Sequence, residues 1–230
     1  MGYSHIFFDL DGTLWDFEAN SYKVLVDIFN NFSLNLRGIS DYNDFINIYK
    51  KHNGKLWELY NVDKISQEYL RTQRFQRTLA DFGIDDVKLS ENMGESYVEL
   101  CPKERKLFPY TFEILDYLQD KYMLHIITNG FDRTQYIKLD HSNLSPYFTQ
   151  IITSGKSGFK KPSSDIFQYA LDLANCKKEE SLYIGDNLVV DILACQDFGI
   201  DGIYFNPEQR SHIERPVYEI KCLSGLMNIL

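Results

Sequence analysis

The chain has 230 residues, 44% of them hydrophobic and 25% charged, with a formal net charge of -9 at pH 7. This is the composition of a globular protein with room for one sizeable core and a smaller second unit, and it contains no apolar run long enough to span a membrane. The acidic balance excludes a nucleic-acid polymer as partner but not a small phosphorylated molecule, because one metal ion and one lysine reverse the field locally.

Met1-Gly2-Tyr3-Ser4 lacks the basic start of a secretory leader. The four cysteines, Cys101, Cys176, Cys195 and Cys222, are scattered without paired spacing. They read as reduced thiols of a cytoplasmic protein.

In chain order, Ile6-Phe7-Phe8 is an apolar run of the kind that fills a fully buried strand. It ends in Asp9-Leu10-Asp11-Gly12-Thr13. Two carboxylates one residue apart at the mouth of a buried strand call for a cation, since desolvated charge is costly when unpaired. Taken alone, a strand running into an Asp-Gly turn would explain the pattern equally well.

A block without strand character follows. Ser21 to Phe32 places Leu25, Ile28, Phe29 and Phe32 at helical spacing, and Tyr42 to Tyr49 repeats the pattern. Ser66 caps a helix running to Phe82, with Gly83 as its stop, and Leu89 to Leu100 closes the block before Cys101-Pro102. No ordinary loop is this long, so residues 16–105 are expected to form a helical unit inserted into a core made of 1–15 and 106–230.

Beyond Lys106, strand and helix alternate. Helices are expected at Thr111 to Asp120, Arg133 to His141, Ser164 to Ala174, Leu188 to Phe198 and Leu223 to Leu230. Strands are expected at Met123 to Thr128, Gln150 to Ser154, Ser181 to Ile184 and Gly202 to Phe205. That spacing implies an α/β fold, a Rossmann-like parallel sheet covered on both faces, with ligands bound outside the carboxyl ends of the strands.

Four strand ends carry polar groups with no local reason to be there: Asp9 and Asp11; Thr128-Asn129-Gly130; Lys160-Lys161-Pro162; and Gly185-Asp186 with Asp191 beyond it. Asp9, Asp11, Asp186 and Asp191 bring four negative charges against one lysine. An all-oxygen site with that surplus suits Mg²⁺, which binds carboxylate and substrate phosphate together. Positioning and charge neutralisation of this kind suit phosphoryl transfer.

This ordered set resembles the haloacid dehalogenase-like hydrolase superfamily, and the helical insertion lies where that superfamily carries a helical cap. The resemblance implies that Asp9 is a nucleophile forming an aspartyl-phosphate. It makes Asp11 the general acid and then the base, also a metal ligand through its carbonyl. Thr128 and the Asn129 N–H would bind the phosphoryl group, and Lys161, directly before Pro162, would neutralise it; Lys160 is its rival. Asp186 would complete the Mg²⁺ ligands, and Asp191 would orient Lys161 or a water on the metal. An acid two residues after the nucleophile favours phosphatase or phosphomutase chemistry over dehalogenation.

Thr128-Asn129-Gly130-Phe131, Tyr147-Phe148, Gly158, Ile166-Phe167-Gln168-Tyr169-Ala170-Leu171, Leu56-Trp57, Arg74-Phe75 and Asp191-Ile192 are similar to the 5′-nucleotidase branch of the superfamily. That likeness implies a nucleoside 5′-monophosphate as substrate; separately, the chain is expected to act as a monomer or homodimer. The alternatives are a sugar-phosphate or phosphoglycolate phosphatase, a phosphomutase, or a catalytically silent nucleotide-binding or partner-binding protein. Trp15, Phe17, Trp57, Tyr60 and Phe131 could stack on a base, although in a chain with 16 Tyr and 16 Phe each reads first as packing. His125, inside a strand, reads as a satisfied core histidine.

Overall fold

The structure is a computed structural model and describes residues 2–230. The chain divides into two compact units, one made of Met1–Phe17 and Arg105–Leu230 and the other of Glu18–Glu104.

The first unit is built on a six-stranded sheet: β1 (His5–Phe8), β2 (Met123–Thr128), β3 (Gln150–Thr153), β4 (Ser181–Gly185), β5 (Asp201–Phe205) and β6 (Tyr218–Ile220). Their order is β3-β2-β1-β4-β5-β6, and every pairing is parallel. After β3 the chain crosses back over β2 and β1 to lay β4 on the other side of β1. The strand order therefore reverses at β1, and a crevice opens there at the carboxyl ends. Phe8 pairs with Ile126 on one side and Ile184 on the other, so the last residues of β2 and β4 run on past β1 and flank Asp9.

Ile6, Phe7 and Phe8 are fully buried, as expected of a central parallel strand covered on both faces. One face of the sheet packs Phe7, Ile127 and Tyr183 under the Ile166, Phe167, Ala170 and Leu171 stripe of a helix at Ser164–Ala174. Shorter elements complete this unit: helices at Thr111–Gln119, Asp132–His141, Ser154–Ser157 and Ala194–Phe198, a π-helical turn at Leu188–Leu193 and a 3₁₀ turn at Leu223–Asn228. The expected helix from Leu188 to Phe198 is thus split, and the expected terminal helix is a 3₁₀ turn. The edge strand β6 is absent from the sequence reading, because three residues are too few to show an alternation.

Four helices make the second unit: α1 (Phe17–Asn31, which begins in the first unit), α2 (Tyr42–Asn61), α3 (Gln67–Asp81) and α4 (Val87–Leu100). The observed α2 runs twelve residues past the expected stop at Tyr49, because buried Asn53, Leu56 and Tyr60 continue the apolar stripe of Phe45 and Tyr49. Inside this unit Tyr49, Phe75 and Tyr97 form an aromatic cluster, with ring centroids 4.8 to 5.9 Å apart. The Arg74 guanidinium lies 4.5 Å from the Tyr97 ring centroid. No helix among the described residues is long and apolar enough to cross a membrane.

The helices of the first unit are labelled α5 (Thr111–Gln119), α6 (Asp132–His141), α7 (Ser154–Ser157), α8 (Ser164–Ala174) and α9 (Ala194–Phe198) from here on.

Candidate active site

β1 delivers Asp9 into the crevice with its N–H bonded to Ile184 O at 2.9 Å, so the nucleophile candidate is anchored to β4 by its own backbone. The next residues turn sharply, with Trp15 N and Leu14 N both returning to Leu10 O. Gly12 stands in this turn at φ +92°, and a Cβ there would lie 2.4 Å from an Asp186 carboxylate oxygen. Only glycine satisfies both the left-handed backbone and that approach. Thr13 donates its hydroxyl proton to Asp186 at 3.2 Å, tying the turn to the end of β4.

Asp9, Asp186 and Asp191 bring carboxylate oxygens within 4.8 Å of one another. Lys161 reaches Asp9 Oδ1 at 2.6 Å and Asp191 Oδ1 at 2.7 Å. Its ammonium also donates to Ile127 O at 3.0 Å and to the Tyr183 hydroxyl at 2.8 Å. Lys161 is thus saturated and almost completely buried, and Tyr183 forms the floor beneath it. Asn129 grips the same residue from the other side: its amide accepts from Lys161 N at 2.8 Å and donates to Lys161 O at 2.7 Å.

The charges in this cluster do not balance, since three carboxylates face one ammonium. Burial pushes Asp9 well above the ordinary carboxylate range; Lys161 pulls it back, while Asp191 and Asp186 push further. Burial, followed by the charge of Asp191, lifts Asp186 to about 7. Burial opposes the charge on Lys161, but Asp191 and Asp9 outweigh it and hold the ammonium above its ordinary value. A site that resists full ionisation of its own acids is complementary to a cation. Hard oxygen donors and a two-charge surplus fit a divalent ion such as Mg²⁺.

The sequence-level count of four acids against one lysine is corrected here, because Asp11 has a lysine of its own. Lys138 Nζ lies 2.6 and 2.7 Å from the two Asp11 oxygens. Gln135 donates to Asp11 Oδ2 at 3.0 Å, and its Oε1 accepts from the Thr128 hydroxyl at 3.5 Å. Thr128 Oγ1 also accepts from Gly130 N at 3.0 Å. The reading of the sequence missed Gln135, Lys138 and Tyr183. A signal existed for the first two: α6 has few apolar residues, so its buried face has to include polar ones, and Gln135, Lys138 and Leu139 are the buried set.

Trp15 is fully buried, with its ring 4.3 Å from Lys138 Nζ, and packs inside its unit, in line with the reading of these aromatics first as packing. One further expectation is corrected. His125 is only half satisfied: one ring nitrogen meets His5 Nδ1 at 3.0 Å, while Nδ1 has no partner.

Residues 6–205 match the family described as haloacid dehalogenase-like hydrolase. The chain belongs to that family. It is accordingly an enzyme, a hydrolase of the α/β type. HAD-hydrolase YfnB of Bacillus subtilis is 32% identical over 99% of this chain and 95% of its own length. A crystal structure of YfnB bound to magnesium superposes with a TM-score of 0.90, covering 100% of this chain and 99% of that one at 30% identity. Pyrimidine 5′-nucleotidase PynA of Streptococcus pneumoniae is 30% identical over 100% of this chain and 96% of its own length. Pyrimidine 5′-nucleotidase YjjG of Escherichia coli is 29% identical over 100% and 99%. These haloacid dehalogenase-like relatives match the chain across both of its units.

Proposed function

We propose that the chain is a Mg²⁺-dependent phosphomonoesterase that works through an aspartyl-phosphate on Asp9, with nucleoside 5′-monophosphates as its substrate class. The observation that carries this reading is the separation of the acids at the crevice. Asp9, Asp186 and Asp191 share one lysine and a two-charge surplus, while Asp11 is held apart by Lys138 and Gln135. A nucleophile beside a cation site, and a second carboxylate kept off the metal cluster for proton transfer, are what two-step phosphoryl transfer requires. The substrate class is supported by the two pyrimidine 5′-nucleotidases that match the chain from end to end.

In this reading Asp9, Asp186 and the Asp11 carbonyl hold the metal, which supplies charge neutralisation for the phosphoryl oxygens when bound. Asp9 attacks phosphorus as the ester P–O bond breaks, and Asp11 gives its proton to the leaving oxygen. Asp11 then takes a proton from water as that oxygen attacks phosphorus and Asp9 is released. The Thr128 hydroxyl and Asn129 N–H bind the transferred group. Lys161 fixes Asp9 and offsets its charge, and Asp191 with Tyr183 holds Lys161 in place. The helical unit, inserted between β1 and β2, is assigned the part of the cap that selects the leaving group, and the enzyme acts in the cytoplasm as a monomer or homodimer.

The test is phosphate release from a panel of nucleoside monophosphates and sugar phosphates, with Mg²⁺ and with EDTA, for the wild type and for Asp9→Asn. Metal-dependent turnover led by the nucleotides, and lost by about 10³-fold or more in Asp9→Asn, is expected. Sugar phosphates at the head of the ranking would overturn the substrate class. Full activity in EDTA or in Asp9→Asn would overturn the chemistry.

A further inference from the structure

α6 starts four residues after the end of β2 and presents Gln135 and Lys138 on one side, three residues apart. Both side chains are buried, at 1% and 4% exposure. Burying an ammonium is expensive unless it is paired. What the lysine meets is Asp11, bidentate at 2.6 and 2.7 Å, with the Trp15 ring centroid 4.3 Å and the Phe17 ring centroid 5.9 Å from its ammonium. Gln135 adds a third hydrogen bond to the same carboxylate and links it to the Thr128 hydroxyl. Asp11 itself keeps a quarter of its side chain exposed. One part-exposed carboxylate is thus held by three hydrogen bonds from a single helix.

We propose that Gln135 and Lys138 are positioning residues that hold Asp11 in the orientation from which it passes a proton to the leaving oxygen and later takes one from water. The inference rests on the phosphomonoesterase reading above. As Asp11 releases its proton to the leaving oxygen, the negative charge left on it develops against an ammonium already in place, so no reorganisation accompanies the transfer. The Gln135 link to Thr128 sets the acid in register with the hydroxyl that binds the phosphoryl group. A displacement of about 1 Å in such a group costs on the order of 10²-fold in rate.

The experiment compares a nucleoside 5′-monophosphate, whose alkoxide leaving group needs a proton, with p-nitrophenyl phosphate, whose leaving group does not. Steady-state constants and inhibition by inorganic phosphate are measured for the wild type, Lys138→Met, Lys138→Arg and Gln135→Leu. The expected result for Lys138→Met is a loss of about 10²-fold in kcat/KM on the nucleotide but within about threefold on the aryl phosphate. Inhibition by phosphate should be unchanged, and Lys138→Arg should recover most of the loss. Gln135→Leu, which leaves the ion pair intact, should show the same substrate contrast at smaller size and keeps the inference testable if Lys138→Met does not fold.

Equal losses on both substrates, weakened phosphate inhibition, or an unaltered kcat/KM would overturn the positioning role. A wild type that turns over neither substrate would instead overturn the phosphomonoesterase reading on which it stands.

Discussion

At the scale of single residues, His125 shows how the fold sets a protonation state. Its ring stacks on His5 at 5.3 Å and on Phe7 at 4.7 Å, inside the sheet. Burial, and then the neighbouring His5, push its pKa down from 6.5 to about 4. Between those values the unfolded chain takes up a proton that the folded chain refuses, so stability is complete above pH 6.5 and is lost as pH falls toward 4. At pH 5 the loss is about 2 kcal/mol. The raised carboxyls of Asp9 and Asp186 take up protons over the same range and offset that loss, so the readout is the difference between two proteins. From pH 7.5 to 5.0 in urea denaturation, the wild type should lose about 2 kcal/mol relative to His125→Phe, which keeps the stack but cannot titrate. Identical pH dependence in the two proteins would show that His125 is not its source.

At the scale of elements, local chemistry and tertiary demand divide the work. Ser66 closes the start of α3 by accepting from Tyr69 N at 3.1 Å, and Asp86 does the same for α4 from Leu89 N at 2.9 Å. Because Ser66 is exposed and α3 has no other side-chain cap at that end, Ser66→Ala should cost about 1 kcal/mol in a denaturation titration, with Ser66→Asp close to neutral. The segment after β4 follows different rules. Asn187 caps it through Val190 N at 3.0 Å, yet the first six residues form a π turn before α9 begins. That wider turn returns Asp191 to Gly185, where a Cβ would lie 2.6 Å from its carboxylate, and to Lys161. Irregular helix at this point serves the charge cluster, as π turns often do at functional sites.

At the scale of the whole molecule, the reversal of strand order at β1 gathers the ends of β1, β2 and β4 into one crevice, and the surplus negative charge collects there. A divalent ion that binds the folded chain alone stabilises it in proportion to the logarithm of its concentration. At a hundredfold excess over its Kd, Mg²⁺ should add about 2.7 kcal/mol and raise the melting temperature by about 5–10 °C. Asp186→Asn should abolish most of that rise. A Mg²⁺ shift that survives in Asp186→Asn would place the ion elsewhere.

The sequence alone determined the buried first strand, the alternation that makes a parallel sheet, the helical block between the first two strands and the polar strand ends. Each is a local signal: an apolar run, a period of 3.6, a cap residue, or two acids beside a glycine. The partners of those acids were decided only in the tertiary structure. Asp11 meets Lys138 across 127 positions, and Lys161 meets Asp9 across 152. Periodicity says which side of a helix is buried but not which charge waits there, because ion pairing depends on the order in which strands are laid side by side. The same reason hid Tyr183, whose hydroxyl looks like one more aromatic in a strand until the sheet places it under Lys161. The long α2 and the π turn were hidden too, since packing against neighbours, more than local propensity, set where those helices continue and where they widen.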